Sequence, residues 1–464
     1  MLKKVPDVFV IVFSLIILAA VLTWVLPGGS YERTEKVVNG QSRTIVVDGS
    51  YHAEPARPQT WQIFTAPVNG FLRSGITEIV VFIFLVGGAF YVLNETGAIA
   101  AGIHQLVRIL KGREYLVIPI VMTFFSFFGA AFGMCEEAIP FVLIFVPLAL
   151  ALGYDSIVGI SLSFLAAGVG FAGAFVNPFT LQIAQGLAGL PPLSGMGYRL
   201  IVWTVATGVT IAWVMVYAAR IKTDPTRSPM YELDCVRREE LLAQQQEQME
   251  FTWRHGTNLA ILGLVIVAMI YGAAVRGWFI VEIAGLFVAM GIITGLVSGM
   301  DLNHLAKTFI AGCRDIAGAA LIVGFVGGII VILESGNIMD TILHGMGTVT
   351  SQLPGLVSAW SMYGMQVVLN TFIPSGSTKA ALTMPLMAPL ADLSGITRQT
   401  AVLAYQLGDG FTNMIIPTSG VTIGTLAMAR IPYEKWARWN LPMQAMFIVM
   451  SLLFLVWPVL SGWQ

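Results

Sequence analysis

Apolar runs of about 18 residues, nearly free of charge, recur from one end of the chain to the other, and this pattern limits the fold more than any other feature. Each run is long enough to cross a hydrocarbon core of roughly 30 Å, so the sequence specifies an all-α polytopic membrane protein. The candidates are Val8 to Leu26, Ile76 to Leu93, Leu200 to Ala219, Leu259 to Val275, Phe279 to Ser298, Ile316 to Leu333 and Leu441 to Leu460. Lys3 and Lys4 precede the first run, but no small-x-small cleavage site follows it, so a retained helix is expected rather than a secretory signal. With 56% hydrophobic and 11% charged residues, soluble enzyme classes lose their footing, and a net charge of -1 offers no surface for nucleic acid. Cys135, Cys235 and Cys313 lie far apart without C-x-x-C spacing, which suggests neither a disulfide framework nor a zinc site.

The informative segments are those where apolar sequence is interrupted, because a bilayer tolerates irregular backbone only where protein or a solvated cavity covers it. Tyr115 to Leu152 holds two arms, each short for a crossing, around Gly133-Met-Cys-Glu-Glu-Ala-Ile-Pro140. Ser156 to Phe175 breaks at Asn177-Pro178-Phe179-Thr180. Ser358 to Asp392 is again two short arms, around Pro374-Ser-Gly-Ser-Thr-Lys379. A span beginning at Thr397 to Tyr405 is expected to break twice, at Gly408 to Asn413 and at Pro417 to Gly420. The pattern is that of two re-entrant hairpins, each followed by a discontinuous helix. Two polar stretches stand outside it. Gly28 to Gly75 alternates as a small hairpin would, with Trp61 and Phe64 as interfacial anchors, and Ile221 to Thr257 is a linker carrying a short charged helix.

The two halves repeat each other. GGAFYVLNETGAI (87–99) matches GGIIVILESGNI (327–338), and VPLALALGYDS (146–156) matches APLADLSGITR (388–398). Lys and Arg in short loops place the N-terminus in the cytoplasm. The equivalent spans Ile76 to Leu93 and Ile316 to Leu333 then run in opposite senses, so the repeats are inverted.

Inverted repeats with broken helices are how many secondary transporters build a site at the membrane midplane. Four polar clusters are expected to converge there. They comprise Glu136 and Glu137; Asn177, Pro178 and Thr180; Ser375, Gly376, Ser377, Thr378 and Lys379; and Asp409, Thr412, Asn413, Thr418 and Ser419. Ionisable groups at membrane depth are costly and mark substrate or ion pathways. Glu136 and Glu137 suit a cation; alternatively one of them pairs with Lys379 or caps a hairpin arm. Asp409 binds an ion or makes a local turn, and Lys379 holds a carboxylate or neutralises a glutamate. The hydroxyl and amide oxygens are cation ligands or helix caps, and sodium is placed near Glu136, Asn177, Ser377 and Asn413. No cofactor is expected beyond a coupling ion, sodium or proton. Gly168 to Gly173 fits G-x-G-x-x-G but sits in an apolar span, where it serves helix packing. Glu95 and Glu334 are assigned to structural turns.

The segments GMCEEAIPF, VNPFTLQIAQ, IPSGSTKAALTMPLMAPLADLSGITRQTAV and GDGFTNMIIPTSG together resemble the YfcC family, grouped with anaerobic four-carbon dicarboxylate carriers and basic amino acid exchangers in the ion transporter superfamily. The family's second tip usually runs Ser-Gly-Ser-Gly-Gln, whereas here it is Ser375-Gly-Ser-Thr-Lys379. The resemblance implies a homodimer in a bacterial inner membrane, with a scaffold and a mobile transport domain working as an elevator. It divides the chain into scaffold helices at 1–114 (loop 28–75 outside), transport domain at 115–198, scaffold helix and cytoplasmic linker at 199–257, scaffold at 258–357, transport domain at 358–430 and a final helix at 431–464. The expected function is exchange of a basic amino acid such as arginine for ornithine; the alternative is a carboxylate carrier driven by sodium or protons. A channel lacks a continuous polar stripe here, and an intramembrane protease lacks its catalytic pair.

Overall fold

The computed structural model describes residues 8–464 apart from 39–40, 74–75, 110–111, 192, 247–250, 277, 279, 352 and 354. Lys3 and Lys4, which precede the first run, lie outside the described residues. Helix α1 (Val8–Val25) leads into four short strands, β1 (Gly28–Ser30), β2 (Arg33–Val38), β3 (Gln41–Val46) and β4 (His52–Glu54). These form two antiparallel ladders, β1 with β4 and β2 with β3. The remainder is helical: α2 (Gln62–Phe71), α3 (Ile76–Glu95), α4 (Ala98–Ile109), α5 (Val117–Phe132), α6 (Val142–Ala151), α7 (Ser156–Ile160), α8 (Ala166–Ala172), α9 (Leu181–Leu187), α10 (Met196–Thr223) and α11 (Tyr231–Gln246). The second half adds α12 (Trp253–Tyr271), α13 (Ile280–Val297), α14 (Leu302–Asp315), α15 (Ala317–Ser335), α16 (Met339–Ser351), α17 (Gly355–Asn370), α18 (Gly376–Leu393), α19 (Arg398–Asn413), α20 (Gly420–Met428) and α21 (Tyr433–Ser461). Among the described residues six helices are long and apolar enough to cross a membrane, or seven if the bent pair α14–α15 counts as one span.

The matched sequence segments adopt the same local structure. The first pair ends α3 and α15, and each helix is followed by a left-handed residue, Gly97 (φ 74°) and Asn337 (φ 59°). The second pair ends α6 and α18, places Gly153 (φ 87°) and Gly395 (φ 69°) in the same left-handed turn, and then caps the next helix. Asp155 accepts from the Val158 amide and Thr397 from the Thr400 amide. Packing repeats too. α3 lies against α13 and α14 as α15 lies against α1 and α2, and α5 against α8 as α17 against α19. At the centre α8 meets α19. Glycines set these distances: a methyl at Gly170 would overlap the Ser126 carbonyl of α5, and one at Gly410 would overlap the Ala172 backbone of α8.

Four expectations need correction. Gly408 to Asn413 does not break its span; α19 runs unbroken to Asn413, and the single interruption is 414–419. Its glycines serve close approach, since Gly408 abuts the Gln366 Cβ and Gly410 abuts Ala172. The first arm of the first hairpin is not short. With the turn Glu114–Leu116 it spans Glu114–Phe132, 19 residues and apolar enough to cross, whereas α6 has only 10. The polar segment after α1 contains a helix besides its strands: α2 carries an apolar face and packs on α15. Finally, the last helix begins at Tyr433 rather than Leu441, because its polar first turns are covered by the chain, with Trp436 and Asn440 fully buried.

Candidate functional site

The second tip is a short turn between α17 and α18. Ser375 occupies the N-cap in extended backbone without a side-chain cap bond, so the amides of the first turn of α18 are left for other partners. Its hydroxyl instead meets Thr378 Oγ1 at 3.1 Å. Tyr405 of α19 donates its hydroxyl to the Gly376 carbonyl at 2.6 Å and fixes the tip to that helix. From the same turn Lys379 points away from the tip into the protein. Its ammonium lies 2.7 Å from Asp409 Oδ1, donates to Asn370 Oδ1 at 2.8 Å and sits 5.8 Å from the centre of the Tyr405 ring. Lys379 and Asp409 are both 0% exposed. Asn370 completes the cluster, its amide nitrogen reaching Thr412 Oγ1 (2.7 Å), Asn413 Oδ1 (2.9 Å) and the Asp409 carbonyl (3.1 Å).

The first tip follows α5, which ends on left-handed Gly133. A methyl there would strike the Asn177 side chain, so the tip and the first helix break are pressed together. Asn177 Oδ1 accepts from the amides of Phe179 (2.9 Å) and Thr180 (3.3 Å), which closes an Asx turn, while its Nδ2 is buried without a partner. Glu137 is buried and accepts from the Cys135 amide at 3.1 Å. Glu136, half-buried, turns the other way.

It turns into a cavity of about 560 Å³ on which all four clusters border, through Glu136, Thr180, Ser375, Ser377, Asn413 and Ser419. Thr378 and Gly376 line it as well. Its size falls in the range of small-molecule sites. The facing wall carries Glu78 and the pair Arg73–Glu334, two parallel contacts of 2.5 and 2.9 Å. Lys379, Asp409, Thr412, Asn177 and Thr418 lie behind the wall, the Thr418 hydroxyl buried without a partner. Pro178 is exposed beside the first break. Ser419 caps α20.

The geometry departs from the sequence reading at three points. The charge that Lys379 balances belongs to Asp409, not to a glutamate. Of the proposed sodium ligands, Asn177 and Asn413 already use their amide oxygens as acceptors, while Glu136 and Ser377 face the cavity. Glu334, assigned to a structural turn, is on the cavity wall. Asn370 and Tyr405 were missed altogether. Asn370 is an amide in the last turn of an arm just before the tip, and Tyr405 stands one helical turn before Asp409, so both could be found by asking which polar side chains share a face with the charges. Among the described residues no group of three or more His, Cys, Asp or Glu side chains is gathered as a metal site.

A profile of the DcuC family, C4-dicarboxylate anaerobic carriers, matches residues 5–460 of the chain. The "Putative basic amino acid antiporter YfcC" of Escherichia coli is 37% identical over 494 residues, which cover 99% of this chain and 97% of that protein. An uncharacterized protein of Haemophilus influenzae is 32% identical over 498 residues, covering 97% and 96%. Among solved structures, the YdaH transporter of Alcanivorax borkumensis aligns with a TM-score of 0.42 at 17% identity over 99% of both chains. MtrF of Neisseria gonorrhoeae, described with a class of antimetabolite efflux pumps, aligns at 0.42 and 16% over 99% of this chain and 96% of its own.

Proposed function

The chain belongs to the DcuC family of C4-dicarboxylate anaerobic carriers, and from that premise we propose that it is a secondary transporter that exchanges one basic amino acid for another across a bacterial inner membrane. The family is one of transporters, not enzymes. The observation that carries the substrate class is the division of charge at the two tips. Glu136 faces the cavity with no cation within ion-pair distance among the described residues, whereas the one lysine of the opposite tip is turned away and held by Asp409. A cavity wall that presents a free carboxylate and hydroxyls is suited to a cationic side chain. The name of the Escherichia coli relative points the same way. In this reading 115–198 and 358–430 form the transport domain of two inverted repeats, supported by the parallel packing of α5 on α8 and α17 on α19. The other helices form a scaffold, and the carrier works as an elevator within a homodimer, N-terminus inside.

Uptake of labelled arginine or ornithine into proteoliposomes, with and without internal counter-substrate, tests the proposal. Stimulation by the counter-substrate supports it, and exchange of neither compound overturns it. The family's description favours one other reading, a carboxylate carrier. There the open amides of α18 and Arg73 hold the anion, while a glutamate takes the coupling proton or sodium ion. Uptake of labelled succinate that arginine does not inhibit would select that reading.

A further inference from the structure

Lys379 occupies a place where cation-coupled carriers put a free ion. It sits where a hairpin tip meets the last turns of a broken span, the part of a discontinuous helix whose carbonyls and side-chain oxygens bind cations. Its ammonium carries one positive charge and only donors, so it satisfies an oxygen cage as a monovalent cation does. The cage is built for such a charge. Asn370 commits its amide nitrogen to Asp409, Thr412 and Asn413, which fixes Oδ1 as an acceptor aimed at the ammonium at 2.8 Å. The Asp409 carboxylate, 2.7 Å away, is buried and accepts no hydrogen bond of regular geometry, so its compensation is the charge itself. The Tyr405 ring closes the third side, and the Tyr405 hydroxyl ties the same turn of α18 to α19.

We propose that Lys379 is a resident cation: its ammonium holds the second tip to α19 in place of a dissociable sodium or potassium ion, so exchange by this protein requires no monovalent cation, and removing the side chain turns the Asn370–Asp409 cage into a site for one. This rests on reading the tips as the transport site. The fixed charge lets the tip close without waiting for an ion, as an exchanger needs when neither direction of transport is driven by an ion gradient.

The test uses the purified full-length protein and needs no substrate, so it can fail independently of the exchange assay. Thermal unfolding is compared in sodium, potassium and choline chloride at matched ionic strength for the natural protein, Lys379→Ala and Lys379→Ala/Asp409→Asn. The natural protein is expected to unfold at the same temperature in all three salts. Lys379→Ala is expected to show a saturable rise in sodium or potassium over choline, and the added Asp409→Asn to abolish it. Should Lys379→Ala be unstable in choline, recovery of folded protein on purification in sodium or potassium reads the same site. Sodium or potassium stabilisation of the natural protein would overturn the proposal. A Lys379→Ala variant that responds to neither ion, or that cannot be recovered in any of the three salts, would overturn it equally.

Discussion

Replacing Lys379 by methionine keeps most of its stem and fills the space around it, so the change isolates the loss of charge. At 2.7 Å the two charges attract by about 6 kcal/mol for an effective dielectric of 20. That attraction offsets the cost of bringing both groups out of water, so the intact pair adds little net stability. Breaking it is another matter. Without the ammonium, Asp409 is a buried carboxylate that has lost its compensation, and breaking a buried pair in this way is expected to cost about 3–5 kcal/mol in Lys379→Met. Lys379→Met/Asp409→Asn removes both charges and is expected to be more stable than either single variant, because no uncompensated charge remains. Urea unfolding in detergent, followed by tryptophan fluorescence, reads all four proteins. An unchanged midpoint in Lys379→Met, or a double variant whose loss is the sum of the singles, would show that the two groups are not coupled.

Glu136→Gln is expected to abolish exchange of a labelled basic amino acid while leaving the unfolding temperature unchanged, because no cation among the described residues depends on this carboxylate; counterflow and a melting curve on one preparation check it. Gly410→Val forces a branched side chain into the Ala172 backbone and should cost about 1–3 kcal/mol or more, seen as aggregation on size-exclusion chromatography. Gly364→Ala, in open space on α17, should behave as the natural protein. Thr397→Ala removes one N-cap, at about 1 kcal/mol, in the denaturant midpoint. Asp155→Ala should lose more, since Asp155 also accepts from Tyr217 (2.5 Å) and Ser228 (2.6 Å) and so fastens the linker before α11.

Most of the fold was legible because lipid leaves the backbone few options. Apolar length marks the spans, and the segments matched in sequence adopt the same turns at Gly97 and Asn337 and the same caps at Asp155 and Thr397. The errors arose where one residue type serves two purposes. Glycines at 408 and 410 carry the pattern of a break, yet in a buried helix they are the means by which α19 touches α17 and α8. The polar turns of α21 looked like loop because burial by neighbouring helices cannot be seen in a linear pattern. At the candidate site the charged residues stand out by their cost in a membrane, but their pairing does not: one hairpin arm and most of α19 separate Lys379 from Asp409. Asn370 escaped because an isolated amide in an apolar arm resembles a cap until the fold brings a lysine to it.

On the proposed reading the carboxylate of Glu136, and not the ammonium of Lys379, meets the substrate. Cryo-electron microscopy maps of the protein in saturating arginine and in saturating succinate separate the two roles. With arginine, density is expected in the cavity between the tips, its guanidinium against Glu136 and Lys379 still on Asp409. An empty cavity in arginine, or succinate density met by a Lys379 swung away from Asp409, would rule that assignment out.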